Sequence, residues 1–194
     1  MIFVKNPEPG RVKTRLAKTI GDEKAYEIYL RLLYHTMKMA SNADCVKEVW
    51  YSAFVDEEDL FNSKTFGKKL QSEGDLGKKM SMAFKSAFNE GYERVVIIGS
   101  DCPGITDTLI ESAFELLAQN ELVIGPANDG GYYLLGMSRF IPELFIGVPW
   151  STDKVFGKTV EIAESKQVSL KELPVLVDID NEDDLNQSNL NWYQ

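Results

Sequence analysis

Histidine occurs once in this chain and cysteine twice. The lone His35 falls inside a helical pattern, where it reads as a helix-face residue rather than a metal ligand, and its place there argues against a covalent route with Cys102 as nucleophile. Cys45 and Cys102 form neither a C-x-x-C pair nor a disulfide framework, which predicts no bridge and a reducing, cytoplasmic setting. Positive charge is also short: 21 Lys and Arg face 30 Asp and Glu, a formal net charge of −9. That balance argues against a nucleic-acid partner, which needs a basic face to displace counterions, and leaves room only for a small nucleotide. No apolar run is long enough to span a bilayer, and Met1 leads straight into an apolar strand without a basic leader. A soluble protein with no membrane partner is expected.

The 194 residues are 44% hydrophobic, enough to bury a core, and fit a single domain over 1–194. Strand-like runs at residues 2–5, 48–53, 95–99, 122–125 and 173–179 alternate with helical patterns at 22–40, 76–88 and 106–117, the last opened by Thr106 as a cap. This βαβα order predicts an α/β protein with a mainly parallel sheet covered on both faces. After the strand at 122–125, Asn128-Asp129-Gly130-Gly131 leads into Tyr132-Tyr133-Leu134-Leu135 with no space for a helix, so a small antiparallel excursion is expected there.

Val95-Val96-Ile97-Ile98 runs into Gly99-Ser100-Asp101-Cys102-Pro103-Gly104. Unbroken apolar residues imply a strand buried on both faces, and the Gly and Pro that follow force a turn. Asp101 then stands at the carboxyl edge, where open α/β sheets bind ligands, placed either to hold a metal or merely to shape the turn. Cys102 reads as packing.

Between the first strand and the long helix, Lys5, Arg11, Lys13, Arg15 and Lys18 stand against Glu8 alone. In an acidic chain this is a local anion attractor, or else a solvated face. It is not a P-loop, because Val12 occupies the place of the Gly before the Lys, and Pro7 and Pro9 exclude the dinucleotide fingerprint. Asp129-Gly130-Gly131 is a hairpin signal, although two glycines would also let a ligand approach the backbone. Near the other end, Val175-Leu176-Val177-Asp178-Ile179-Asp180-Asn181 repeats the theme of apolar residues running into acids. Asp180 or Asn181 would cap a helix begun by Glu182, Asp183 and Asp184. Capping leaves Asp178 unexplained. Mg²⁺ takes one or two carboxylates plus phosphate oxygens, so Asp101 and Asp180 would suffice.

These stretches, with Gln71-Ser72-Glu73-Gly74-Asp75-Leu76-Gly77 and Trp150-Ser151-Thr152, resemble the bacterial DUF2064 proteins, assigned to glycosyltransferases of the nucleotide-diphospho-sugar transferase superfamily. The resemblance implies a three-layer αβα, Rossmann-like GT-A fold that binds a nucleoside diphosphate sugar or nucleoside triphosphate with Mg²⁺ or Mn²⁺. It places Lys5, Gly10, Lys13 and Arg15 at the phosphates, and Gln71, Gly74 and Gly77 beside the nucleobase or ribose. Asp101 and Asp180 become metal ligands, with Asp101 and Asp129 the catalytic acids. Gly130, Gly131, Tyr132, Trp150, Ser151 and Thr152 would shape an acceptor pocket; Trp150 reads equally as core, and Ser151 or Thr152 as a helix cap. Pro103 departs from the glycosyltransferase D-x-D and looks more like nucleotidyltransferases such as the molybdenum cofactor guanylyltransferase.

The function implied is metal-dependent transfer from an activated nucleotide to a small-molecule acceptor, either glycosyl or nucleotidyl. A non-catalytic nucleotide-binding module with the same fold is the alternative. A hydrolase with Asp101 as nucleophile would need an acid at Pro103. Nothing in the sequence fixes an oligomeric state.

Overall fold

The computed structural model describes residues 1–188, so residues 189–194 of the expected domain lie outside the described residues. In chain order the elements are β1 (Ile2–Val4), α1 (Thr14–Ile20), α2 (Asp22–Asn42), β2 (Glu48–Tyr51), β3 (Gly67–Leu70), α3 (Leu76–Asn89) and β4 (Val95–Ile98). Then follow α4 (Asp107–Leu116), β5 (Leu122–Pro126), β6 (Tyr132–Met137), α5 (Val155–Ser165), β7 (Leu170–Glu172) and α6 (Glu182–Gln187).

The strands form one seven-stranded sheet in the order β3-β2-β1-β4-β6-β5-β7, parallel except for β6, which runs antiparallel to both neighbours. Alternation along β4 explains its apolar run: Val96 and Ile98 enter one core and Val95 and Ile97 the other. The first core packs beneath α2 and α4 through residues such as Leu33, Met39, Ile110 and Ala113; the second packs beneath α3 and α5 through Met80, Phe84 and Ala163. This is the expected three-layer αβα arrangement. Each fully buried Leu or Phe contributes about 1.5–3 kcal/mol, so both helical layers are held by their apolar stripes.

Caps set several boundaries. Thr106 accepts from Leu109 N–H at 3.2 Å and begins α4 as expected. Asp75 accepts from Lys78 N–H to begin α3, and Asn181, not Asp180, caps α6 in a reciprocal box with Asp184.

Three expectations require correction. The basic segment is not all loop, because α1 occupies its second half, seated through Leu16 against α2 and α6. The antiparallel excursion is present as expected, with β6 lying between β4 and β5 in the sheet. The last strand is Leu170–Glu172, not 173–179: Pro174 lacks the N–H a ladder needs, and beyond it only Ala127 and Leu176 bridge. Finally, neither Ser151 nor Thr152 is the cap of α5. That position belongs to Lys154, and the Thr152 hydroxyl accepts from Lys154 N–H within the preceding turn.

Candidate nucleotide and metal site

The parallel strands all deliver their carboxyl ends to one edge, and the chemistry-bearing residues collect there. Lys13, the residue before α1, adopts a left-handed conformation at φ 48°. A non-glycine residue pays about 1–2 kcal/mol for this, and here it turns a buried side chain inward, where Nζ donates to Asp101 Oδ2 at 3.1 Å. Burial opposes ionisation of Asp101, but the charge and hydrogen bond of Lys13, with Lys5 further off, hold its carboxyl below the ordinary range. Gly99 leaves the room that the Asp101 carboxylate occupies.

Two residues that sequence reasoning missed fix this loop. Tyr29 on α2 uses one hydroxyl twice, accepting from Lys5 N–H at 3.0 Å and donating to Lys5 C=O at 2.7 Å. Asn6, buried beside it, accepts from Ala53 N–H at 2.9 Å and donates to Phe54 C=O at 2.8 Å, tying the loop after β1 to the loop after β2. A polar Asn directly after a Lys at a strand end was the available signal.

The C-terminal segment closes the other side. Ile179 N–H donates to Asp101 C=O at 3.0 Å, which brings Asp178 and Asp180 to the same edge. Arg15 Nη1 bonds Asp180 Oδ2 at 2.6 Å, so the expected phosphate ligand and the expected metal ligand hold each other. Asp178 has no such cation. Its Oδ1 is buried without a partner among the described residues, and burial, then the charges of Asp129 and Asp101, push its pKa up to about 7.

The remaining expected residues fall into two linked groups. Gln71 follows β3, and Gly74 has φ +117° in the turn before α3. Gly77 sits under Trp150, whose indole fills the volume a Cβ would need, so the expected nucleotide and acceptor groups touch. Trp150 also stacks on Phe145, with centroids 6.3 Å apart. Gly10 takes φ +72° in the first loop. Exposed Asp129 accepts from Gly131 N–H at 2.8 Å. A Cβ at Gly130 would strike the Asp153 backbone, and its C=O accepts from Phe156 N–H at 2.9 Å. Tyr132 packs its ring into the second core, and exposed Ser151 is left-handed at φ 63°. Cys102 is buried, with its thiol pushed up to about 12 by desolvation.

Do these acids suit a divalent cation? Among the described residues no three ligating side chains close around one point. The described residues thus form no all-protein cage, but the site has what a phosphate-completed Mg²⁺ site needs: a half-exposed carboxylate at Asp101 and one at Asp178 with a buried, unpartnered oxygen. A cation would relieve the mutual repulsion of Asp101, Asp129 and Asp178. The donor set fits.

A Rossmann-like three-layer sheet with a basic first loop and strand-end acids defines the nucleotide-diphospho-sugar transferase fold. The crystal structure of a candidate nucleotide-diphospho-sugar transferase from Desulfovibrio desulfuricans G20 matches with a TM-score of 0.89 and 33% identity, over 99% of this chain and 87% of that one. The manganese complex of Rv0371c from Mycobacterium tuberculosis H37Rv shares the fold alone, with a TM-score of 0.58 and 14% identity over 96% of this chain and 95% of that one. The 2-phospho-L-lactate guanylyltransferase of Methanocaldococcus vulcanius is 31% identical over 126 residues, 64% of this chain and 54% of that protein. The chain thus spans about half the length of the curated relatives it matches. The model of the family described as "Uncharacterized protein conserved in bacteria (DUF2064)" matches residues 35–152, and the chain belongs to that family.

Proposed function

We propose that this chain, acting as a single domain in the cytoplasm, is a nucleotidyltransferase that uses Mg²⁺ or Mn²⁺ to transfer the nucleotidyl group of a nucleoside triphosphate to a small anionic acceptor, with release of pyrophosphate. The observation that carries this reading is the buried Lys13 ammonium on half-exposed Asp101, with the orphaned Asp178 beside them. Asp101 and Asp178 would hold the cation, and Asp180, now paired with Arg15, would be a further ligand if a phosphate took its place on Arg15. Bound there, the ion would neutralise charge on the phosphates and favour pyrophosphate as leaving group.

The chain's own groups do the rest. Lys13 gives a fixed ammonium beside the reacting phosphate, while Lys5, Gly10 N–H and Arg15 receive the outer oxygens. Tyr29 and Asn6 keep this cradle from collapsing before substrate arrives. On the acceptor side Asp129 has one oxygen on Gly131 N–H and the other open to an incoming group. An acceptor oxygen attacks the α-phosphorus, the bond from that phosphorus to the bridging oxygen breaks, and pyrophosphate departs with the electron pair. Gly130, Gly131, Tyr132, Trp150, Ser151 and Thr152 frame the acceptor.

Two observations favour nucleotidyl over glycosyl transfer. Pro103 stands where the second acid of a D-x-D would be, and the curated relatives are guanylyltransferases acting on 2-phospho-L-lactate, a phosphorylated acid. The test is product analysis with Mn²⁺, a panel of triphosphates and small phosphorylated acids. Pyrophosphate release that depends on acceptor supports the reading. Nucleoside diphosphate released from nucleotide sugars, with no pyrophosphate from any triphosphate, contradicts it, and nucleotide binding without turnover across the panel points to the non-catalytic module.

A further inference from the structure

Two irregularities flank β5 where it approaches the site. On the β6 side, Gly125 pairs with Leu134 and the next residue, Pro126, pairs with Tyr132, which leaves Tyr133 as an extra residue in the ladder. On the β7 side, Ile124 pairs with Glu172, but Ala127, three residues on, bridges to Leu176, four residues on. The strap that follows β7 therefore carries an extra residue as well. Bulges of this kind re-aim side chains beside active sites. A single hydrogen bond joins the two: the buried Tyr133 hydroxyl donates to Pro174 C=O, inside the second bulge, at 2.9 Å. Gly125 permits it, because the Tyr133 ring lies over that residue and fills the volume a Cβ would need.

The strap delivers an acid of the site. Beyond Pro174, Leu176 N–H donates to Pro126 C=O at 3.1 Å and its side chain rests on Gly104, three residues past Asp101. Ile179 N–H then donates to Asp101 C=O at 3.0 Å, so Asp178 lies between two anchors. A slip of one residue in a paired segment carries its side chains to the opposite face, so losing the extra residue near Pro174 would turn Asp178 away from Asp101. Pro174 has no N–H by which to be pinned, and its C=O is the handle that remains. The main chain of Tyr133 works on the other acid. Its C=O accepts from Gly99 N–H at 3.2 Å, two residues before Asp101.

We propose that Tyr133 is the positioning residue for the two strand-end acids: its backbone steadies the turn that presents Asp101, and its hydroxyl fixes the bulge at Pro174 that sets the register of Asp178. It acts through Asp178 and not on the substrate. A buried tyrosine needs a partner for its hydroxyl in any case, and packing alone would be satisfied by any nearby acceptor. Here the acceptor is the one carbonyl inside the bulge, and the ring crosses a glycine to reach it. The proposal rests on the reading that Asp101 and Asp178 hold a cation, and it adds a residue outside that site.

Tyr133→Phe keeps the ring and removes the hydroxyl, and two measurements read the consequence. Amide hydrogen exchange without metal reports on the strap. Protection of the Leu176 and Ile179 amides should fall about fivefold in Tyr133→Phe, within the worth of one neutral hydrogen bond. The Ile98 amide, which donates to Met1 C=O, should keep its protection and so report that the variant is folded. Calorimetric titration of inorganic tripolyphosphate, with and without Mn²⁺, reports on the acid. Tyr133→Phe should weaken the Mn²⁺-dependent binding about tenfold, the lower end for groups that orient a metal ligand from behind it. Metal-free binding should be unchanged, and the substitution should add nothing to the loss already present in Asp178→Asn. Unchanged exchange at Leu176 and Ile179 overturns the proposal, as does a wild-type Mn²⁺ increment in Tyr133→Phe, which would leave Tyr133 a packing residue. An equal loss from Tyr133→Phe in the Asp178→Asn background overturns it too. Wild type that shows no Mn²⁺ increment refutes the cation reading itself, and this proposal with it.

Discussion

Lys13 Nζ lies 3.1 Å from Asp101 Oδ2, yet the two side chains are unequally covered, the lysine 5% exposed and the aspartate 46%. The ammonium is thus a fixed, desolvated charge, whereas the carboxylate keeps an open side for an incoming cation or phosphate-bound cation. Lys13→Met removes the one buried ammonium facing this acidic group. It should cost about 1–3 kcal/mol of stability, below the full value for a buried pair because Asp101 is half exposed. Nucleoside triphosphate affinity should fall about 10–100-fold, the range for a charged hydrogen bond. Denaturant unfolding and calorimetric titration measure the two effects. Unchanged nucleotide affinity would remove Lys13 from the phosphate site.

Asp178 and Asp101 carry opposite linkage to pH. The folded pKa of Asp178, about 7, lies above the ordinary carboxylate value, so the folded state binds more protons than the unfolded chain. Stability attributable to Asp178 should therefore fall as pH rises from about 4 to 7 and stay low above that. Asp101 is held below its ordinary value, so its contribution is present above the unfolded pKa and is lost in acid. Asp178→Asn should flatten the first trend and raise stability at pH 8 by about 2 kcal/mol, a figure discounted for partial solvent screening. Tm measured against pH for both proteins without metal checks this. Parallel curves would show that Asp178 ionises normally.

Asp101 was legible because its strand advertises itself: Val95 to Ile98 are apolar on both faces, and the turn after them is written in Gly99, Pro103 and Gly104. Helix α2 and the Thr106 cap were legible for similar local reasons. Helix α1 was not, since Pro7, Pro9 and Gly10 mark a loop and Leu16 is its one fully buried anchor. Strand β3 was hidden too: Gly67-Lys68-Lys69-Leu70 has no apolar alternation, and its lysines are satisfied by Asp59, Glu48 and Glu90, distant in sequence. The sequence supplied Asp178 and Asp180 as a pair. Which of them meets a cation and which lacks one depends on Arg15 reaching back across the fold.

Gly77 and Trp150 offer a packing test. Gly77→Ala places a methyl inside the volume of the indole, so either α3 or the ring must shift, at about 1–3 kcal/mol. Trp150→Ala empties that volume and destabilises on its own account. In the double variant the clash is gone, so the two losses should fall short of additive by more than about 0.5 kcal/mol. Additive losses in a double-mutant cycle by urea unfolding would mean that the two residues do not share that space.

The cysteines should differ in reactivity. Cys102 is buried with its thiol pushed up to about 12, whereas Cys45 is half-buried. At pH 8 a disulfide reagent should label Cys45 in the native protein and reach Cys102 only on unfolding. Rapid labelling of Cys102 would argue against packing as its role.

The central claim is a metal-bridged phosphate site at Asp101 and Asp178, and Mn²⁺-dependent binding of a nucleoside triphosphate tests it most directly. Calorimetry on wild type should show triphosphate binding that strengthens at least tenfold with Mn²⁺, and that increment should vanish in Asp101→Asn and shrink in Asp178→Asn. Binding of equal strength with and without Mn²⁺, or an Mn²⁺ increment retained in Asp101→Asn, would contradict the account.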